Sequence, residues 1–438
     1  DGYAAKFLHS VESNVAGPRP FHLQAKIRKP RGSLDTRTNQ TIEAAWRDWS
    51  RAENCDVTGR HSLDALHRLI LRTIAKDGEA LILLSDQGGK YGLQLQLLDI
   101  DRLDEERNET LRNGAAIKMG IEVDRSGRPV AYHLLTTHPG EFGHWGGAQR
   151  ESIRYPAESV LHLFVPESPE QVRGVPWLTP VMSRLWNLSG FEEAAVINAR
   201  TAAAKMGFYT SPDGSLPAVT DGTDTAGRFV QDASPGAFEV LPAGYSFQSF
   251  DPKFPDEAIE PFIRTSLRGI AAGLGVAYHS LANDPSNVNF STARVALLEE
   301  RDVWQGLQSW YVEHVCRVLY DRWRHALALR GILANDLTGV RYDSVQWQCQ
   351  TWDWVDPRNE AQAKLMELEA GLTSRTRIAA ESGADIEDIF DEIASEQALA
   401  AEKGITLGNA KPEKEQPENT AEDTNEDQET ERRFRVVS

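Results

Sequence analysis

The chain has 438 residues, with 47 Lys and Arg against 65 Asp and Glu, a formal net charge of −18, and 40% hydrophobic residues. A chain of that length buries a large core and divides into more than one domain or subdomain. No apolar run approaches the ~18 residues that span a bilayer. Cys55, Cys316 and Cys349 lie far apart with no CxxC pair, which argues against a structural zinc or a disulfide framework and suits a reducing cytoplasm.

The first part reads as mixed helix and strand. Residues 3–15 look like the end of a helix closed by Gly17 and Pro18, and the absence of an initiator Met before Asp1 suggests a fragment or a processed form. PheHisLeuGlnAlaLysIle (21–27) alternates as a half-buried strand does. Helices are predicted over 39–53, with Trp46 and Trp49, and over 61–77, with Leu63, Leu66, Ile70 and Ile74. AlaLeuIleLeuLeu (80–84), the glycines at 88–89 and LeuGlnLeuGlnLeuLeu (93–98) make a hairpin. Strands at 116–123 and 130–135 flank the turn 124–129, and another runs over 160–165. Asp99, Asp101 and Asp104 could offer oxygens to a cation, but surface carboxylates at strand ends read the same way. His61 and His67 do not share a helix face, and the loop 138–150 is either a binding loop or plain surface.

ThrPro at 179–180 starts a long helix. Val181, Leu185, Leu188, Phe191, Ala195, Ala199 and Ala202 follow at helical spacing to about residue 205, roughly 40 Å in all. Its alanine-rich second half permits close approach of a neighbour, as would a long core helix in a bundle. Residues 207–255 lose that period and read as a small β-rich excursion built from turn clusters. A second helix over 256–275 carries Ile259, Phe262, Ile263, Leu267, Ile270 and Leu274 and stops at GlyLeuGly. The segment 279–290, rich in Asn, Asp, Ser and Pro, is hostile to regular structure. A long helix follows, capped by Asn289 or Ser291, with the stripe Leu297, Trp304, Leu307, Tyr311, Val315 and Val318.

Residues 347–354 are strand-like, and helices are predicted over 360–371, 374–382 and 386–402. From 409 to 431 nothing apolar larger than alanine remains, so this acidic tail is predicted to be disordered, before a basic end that could serve as a docking peptide. No GxxxxGK[ST], GxSxG, HExxH or GxGxxG pattern occurs, and no carboxylates are paired for acid–base work. No enzyme, cofactor site or metal site is therefore expected.

Several dispersed motifs point to a family. "Ile-Ala-Ala-Gly-Leu-Gly-Val … Asn-Phe-Ser-Thr-Ala-Arg", "Lys-Asp-Gly-Glu-Ala", "Leu-Leu-Asp", "Arg-Gly-Val-Pro-Trp-Leu" and "Trp-Val-Asp-Pro-Arg-Asn-Glu … Gly-Leu-Thr-Ser" resemble the lambda-type portal proteins of tailed bacteriophages. The resemblance covers the chain from about Gly17 to Glu402 and departs at the N-terminus and the tail. It implies an α+β portal-like subunit: a wing over 1–178, a stem helix over 179–206, a clip-like excursion over 207–255 and a second stem helix over 256–275. A tunnel loop over 276–290, a long helix with returning wing strands over 291–355, a helical crown over 356–407 and the tail over 408–438 complete it.

By the same resemblance, copies form a dodecameric ring at a capsid vertex of the virion, assembled in the host cytoplasm. Double-stranded DNA passes through the ring. The implied partners are the terminase large subunit, the major capsid protein or scaffold, and the head–tail connector protein, with no membrane. Ser280, Asn283, Asp284, Ser286, Asn287 and Asn289 would line the channel loop, and Ala195, Ala199 and Ala202 would pack the stem against its copies. Acidity fits a duct past which DNA slides, because gripping a duplex takes Lys and Arg. A different ring-forming adaptor of the virion and a soluble hydrolase remain the alternatives, and a solvent-facing connector between packed helices would have the loop's composition too.

Overall fold

The structure, a computed structural model, describes residues 1–18, 20–29, 34–86, 88–141, 151–203, 259–284, 286, 290–331, 344–352, 357–381 and 386–405, and strand pieces at 207–210, 222–223, 229–230 and 246–249. Two units divide at Ala363 and Lys364. The first opens with α1 (Gly2–Val11), capped by the Asp1 carboxylate, which accepts from the amides of Tyr3 and Ala4 at 2.8 and 3.0 Å. A π-helical turn, Glu12–Ala16, ends it at Gly17. Strand β1 (His22–Ala25) and helices α2 (Thr36–Trp49), α3 (Ala52–Cys55) and α4 (Leu63–Asp77) follow. Ser62 caps α4, and Gly78 stops it in the left-handed conformation that glycine reaches without a Cβ clash.

Strands β2 (Glu79–Ser85) and β3 (Gln94–Leu98) come next, then β4 (Glu109–Thr110), β5 (Ala116–Lys118), β6 (Ile121–Val123), β7 (Pro129–Leu135), β8 (Ser152–Pro156) and β9 (Val160–Phe164). They make a three-stranded sheet, β3-β2-β9, and a five-stranded antiparallel meander from β4 to β8. Strand β2 carries an unbroken apolar run because both its faces are covered. Ala80, Ile82 and Leu84 join the large helical core, while Leu81 joins a second core with Leu98, Leu103, Ile121, Val123, Tyr132, Leu134 and Val160.

The single strand expected over 116–123 is two strands. Met119 and Gly120 both take positive φ (47° and 82°) between the paired Lys118 and Ile121, the two-residue hairpin turn whose twist suits flanking strands. A Cβ on Gly120 would lie 2.7 Å from the Asp104 carbonyl oxygen.

Helix α5 (Met182–Ala203) begins after one 3-10 turn at Thr179–Val181. Strand pieces β10 (Gly207–Thr210), β11 (Gly222–Thr223), β12 (Phe229–Val230) and β13 (Ser246–Ser249) pair antiparallel as β10 with β13 and β11 with β12. Then come α6 (Ile259–Leu274), α7 (Tyr278–Ala282), α8 (Phe290–Tyr311), α9 (Arg317–Arg330) and β14 (Val345–Gln348), which pairs antiparallel with β1. The expected cap at Asn289 lies outside the described residues.

Between α8 and α9 the helix is interrupted by a second π turn, Val312–Cys316. The wider turn holds one more residue than an α turn and moves the buried stripe on: Leu319 is buried where the sequence pattern expects Val318. An aromatic cluster anchors this end. The Trp46 ring lies 4.8 Å from Trp49, 5.1 Å from Trp323 and 5.5 Å from Trp347. His67 and Tyr311, both buried, share a hydrogen bond of 2.8 Å, and burial pushes the imidazole pKa down to about 3. The Gln308 amide donates to the carbonyls of Asn14, Val15 and Gln350.

The second unit begins within α10 (Pro357–Glu369) and holds α11 (Arg375–Glu381) and α12 (Ile386–Glu402). Lys364 donates to Glu381 at 2.7 Å, tying α10 to α11. Leu372, Phe390 and Leu399 are exposed there. Residues 406–438, including the predicted tail, lie outside the described residues.

Candidate functional site

Two of the quoted motifs, far apart in sequence, meet at the start of α5. Gly78 and Gly174 approach so closely that a Cβ on Gly174 would lie 2.2 Å from the Gly78 carbonyl oxygen. The adjacent Glu79 carboxylate is 3% exposed and accepts from Arg173 at 2.7 Å, His162 at 2.8 Å and the Gly174 amide at 2.9 Å. Burial alone would raise its pKa, but hydrogen bonds from His162 and Arg173 outweigh that and hold it below the usual carboxylate range. Trp177 donates its amide to the Ala75 carbonyl at 3.2 Å. The segment that launches α5 is thereby fixed to the end of α4 and to β2.

Helices α5 and α6 run antiparallel. Phe191 meets Phe262 with ring centroids 4.6 Å apart, and a Cβ on Gly273 would lie 2.5 Å from Val181 Cγ1, so glycine sets how closely the helices cross. Leu185 and Leu188 are buried on the inner side of α5. At 100° per residue Ala195 and Ala199 continue that same stripe and are half-buried, while the side chain of Ala202 lies outside the described residues. The opposite face carries Met182, 58% exposed, and Trp186, 81% exposed. Periodicity showed that α5 has an alanine stripe, but not that bulky apolar side chains on its other side would be exposed among the described residues. Among the described residues α8 likewise exposes Val295, Leu298 and Val303.

The segment expected to be irregular over 279–290 opens instead with one short helix, α7. Gly275 ends α6 at φ +69°, and α7 starts three residues after it. What holds α7 is non-local. Glu300 on α8 accepts from the Ala277 amide at 3.1 Å, the Ser280 hydroxyl at 2.8 Å and, through its other oxygen, the Trp304 indole at 3.3 Å. Ser280 is therefore turned toward the protein. Asn283 ends α7 in the left-handed conformation, φ 52°, ψ 37°, and is exposed. Asp284 accepts from the Tyr278 hydroxyl at 2.8 Å and the Ser286 amide at 3.0 Å, as well as from the Ser286 hydroxyl. Those hydrogen bonds, Ser286 first, bring its pKa down to about 2. Ser286 is exposed, and Asn287 and Asn289 lie outside the described residues.

The metal candidate takes a different form from the one the sequence suggests. Asp104 is not part of the group; Asp99 and Asp101 stand with His138 instead. His138 Nδ1 accepts from the Gly140 amide at 3.0 Å, which leaves the proton of a neutral ring on Nε2, 3.7 Å from Asp99. That geometry is a surface contact between an imidazole and a carboxylate. The companion loop, 142–150, lies outside the described residues.

Residues 1–308 match the family described as phage portal protein, lambda family. The chain is 30% identical over 400 residues to the probable portal protein of Halomonas phage phiHAP-1, covering 90% of this chain and 77% of that protein. It is 22% identical over 433 residues to portal protein B of Escherichia phage lambda, covering 89% of this chain and 80% of that protein. Among solved structures, a chain from the virion of a native gene transfer agent particle superposes with a TM-score of 0.46 at 14% identity, covering 88% of this chain and 90% of that one. The chain belongs to the lambda family of phage portal proteins.

Proposed function

We propose that identical copies of this chain close into a dodecameric ring at one capsid vertex of the virion, around a channel that double-stranded DNA traverses without sequence readout. The terminase large subunit drives the DNA during packaging. The major capsid protein or scaffold surrounds the ring, the head–tail connector protein binds it afterwards, and assembly takes place in the host cytoplasm. The observation that carries this reading, beyond family membership, is the two-sidedness of α5. A ring needs a heterologous contact made by two unlike patches on each subunit. Met182 and Trp186 form a bulky patch, and Ala195 and Ala199, followed at helical spacing by Ala202, form a small-residue patch that continues the half-buried stripe on the other side. Large side chains of one copy fit against small ones of the next. The loop from Val276 to Phe290 then faces the channel with Asn283, Asp284 and Ser286 and with no Lys or Arg, so phosphates find nothing to hold.

Mass photometry and negative-stain microscopy test the ring. Truncating a buried interface Trp costs about 2–4 kcal/mol, so Trp186→Ser subunits should run as monomers that melt like the parent subunit. Ala199→Leu should overpack the contact by ~1–3 kcal/mol and raise the concentration at which rings appear. Parental ring yields from both variants would remove α5 from the subunit contact.

A further inference from the structure

Glu300 is a buried carboxylate on α8, 6% exposed, whose three hydrogen-bond donors among the described residues are all uncharged: a backbone amide, a hydroxyl and an indole. Burying a carboxylate among neutral donors is costly compared with an apolar residue of the same volume, so packing alone does not call for it here. Two of those donors belong to the segment 277–282, which has only five helical residues of its own and no side-chain cap. A helix that short does not hold itself together in water. Leu281, 3% exposed, supplies its one deeply buried apolar anchor. Just beyond, Asp284 ties Tyr278 and Ser286 into a second knot, and the Arg268 guanidinium sits 5.5 Å from the Tyr278 ring centre.

We infer that Glu300 is a positioning residue for the channel loop: it fastens the base of the loop to the long helix, so that force on the loop from passing DNA is delivered to α8 at residue 300. This rests on the channel reading given above. The carboxylate suits the task because both its oxygens accept, taking the two loop donors on one and the Trp304 indole on the other, whereas an amide in its place would set its NH2 against one of those donors. Ser280 takes part as the donor between loop and helix, not as a group offered to DNA.

Amide hydrogen exchange on assembled rings tests the fastening. Glu300→Gln and Ser280→Ala should each speed exchange over 277–282 by about tenfold, with α6 and α9 exchanging at parental rates. Ser280→Thr, which keeps the hydroxyl, should keep the parental exchange rate. Unchanged loop exchange in both disruptive variants, or an equal rise through α6 and α9, would overturn the inference. Packaging of DNA by the Glu300→Gln ring tests the coupling, with Asn283→Lys as the control. A fall of about tenfold in packaged genomes is expected from Glu300→Gln. If Asn283→Lys slows packaging and Glu300→Gln does not, the coupling is wrong while the channel reading stands. If neither slows it, the loop does not face the DNA.

Discussion

The sheets around β2 and the helices α5 to α8 satisfy their chemistry in different ways. Strand β2 has both faces covered, and the buried Glu79 beside it has a guanidinium, an imidazole and an amide as partners inside the same chain. Helix α5 leaves Trp186 and Met182 in solvent, and α8 leaves Val295 and Val303 there. The first region is finished by its own sequence. On the proposed ring the second is finished by assembly, and substitutions in the two should then be read out by different measurements.

The largest effect belongs to the first region. Glu79→Ala strands Arg173 and His162 without their carboxylate, and breaking a buried pair in this way costs about 3–5 kcal/mol. Urea unfolding of the isolated subunit should show that loss, whereas Trp186→Ser should leave the same curve in place. Equal sensitivity of the monomer to both would dissolve the contrast.

Acid sharpens it further. His67 has a folded pKa of about 3, below the unfolded value near ~6.5, so its contribution is complete above that value and is lost as pH falls toward the folded one. Glu79, also depressed, adds its loss at lower pH, as the medium falls below ~4.3 and through its folded pKa. The subunit should weaken by up to ~1.4 kcal/mol per pH unit between pH ~6 and ~4, where His67 is the one of the two that titrates, and more steeply below, followed as the urea midpoint against pH. His67→Phe should flatten that slope between pH ~6 and ~4. An unaltered slope would mean that His67 titrates normally.

On the assembled side, Asn283→Lys adds a cation to the exposed loop at a left-handed position, where a side chain other than Gly, Asn or Asp costs about 1 kcal/mol. Rings should form, and packaging or retention of DNA should suffer more at low salt than at high salt, since screening shortens the reach of the added charge. A defect independent of salt would point to loop distortion instead. The smallest effect is expected from truncation after Gly408. The removed segment has no core-forming pattern, so the melting temperature should move by less than about 1 °C, the shift that a few tenths of a kcal/mol would produce.

How much of this was legible depended on whether the cause was local. ThrPro at the start of α5, the glycine that ends α4 and the apolar run of β2 act within a few residues, and the pattern of residues predicts each element. Met119–Gly120 was a local signal too, a two-residue positive-φ turn hidden by an otherwise continuous strand pattern. The alanines of α5 were visible, but which side of the helix α6 would cover was not, because that depends on Phe262 and Gly273 some seventy residues on. Helix α7 was missed because its support comes from Glu300, and no propensity of Tyr278–Ala282 reports a carboxylate twenty residues away. The Lys-Asp-Gly-Glu-Ala and Arg-Gly-Val-Pro-Trp-Leu motifs were each visible, whereas their meeting through Glu79 and Gly174 was not.

The π turn at Val312–Cys316 gives α8 and α9 the character of one shaft with a phase offset built into it. One additional residue in a turn advances every later side chain by about 100°. The same rod can therefore present Glu300 and Trp304 toward the loop base at one end and Trp323 and Leu327 toward the aromatic core at the other. Deleting one residue within the turn would close it to an α turn and leave Trp323 facing Trp46, whereas deleting one elsewhere along the shaft would turn Trp323 away.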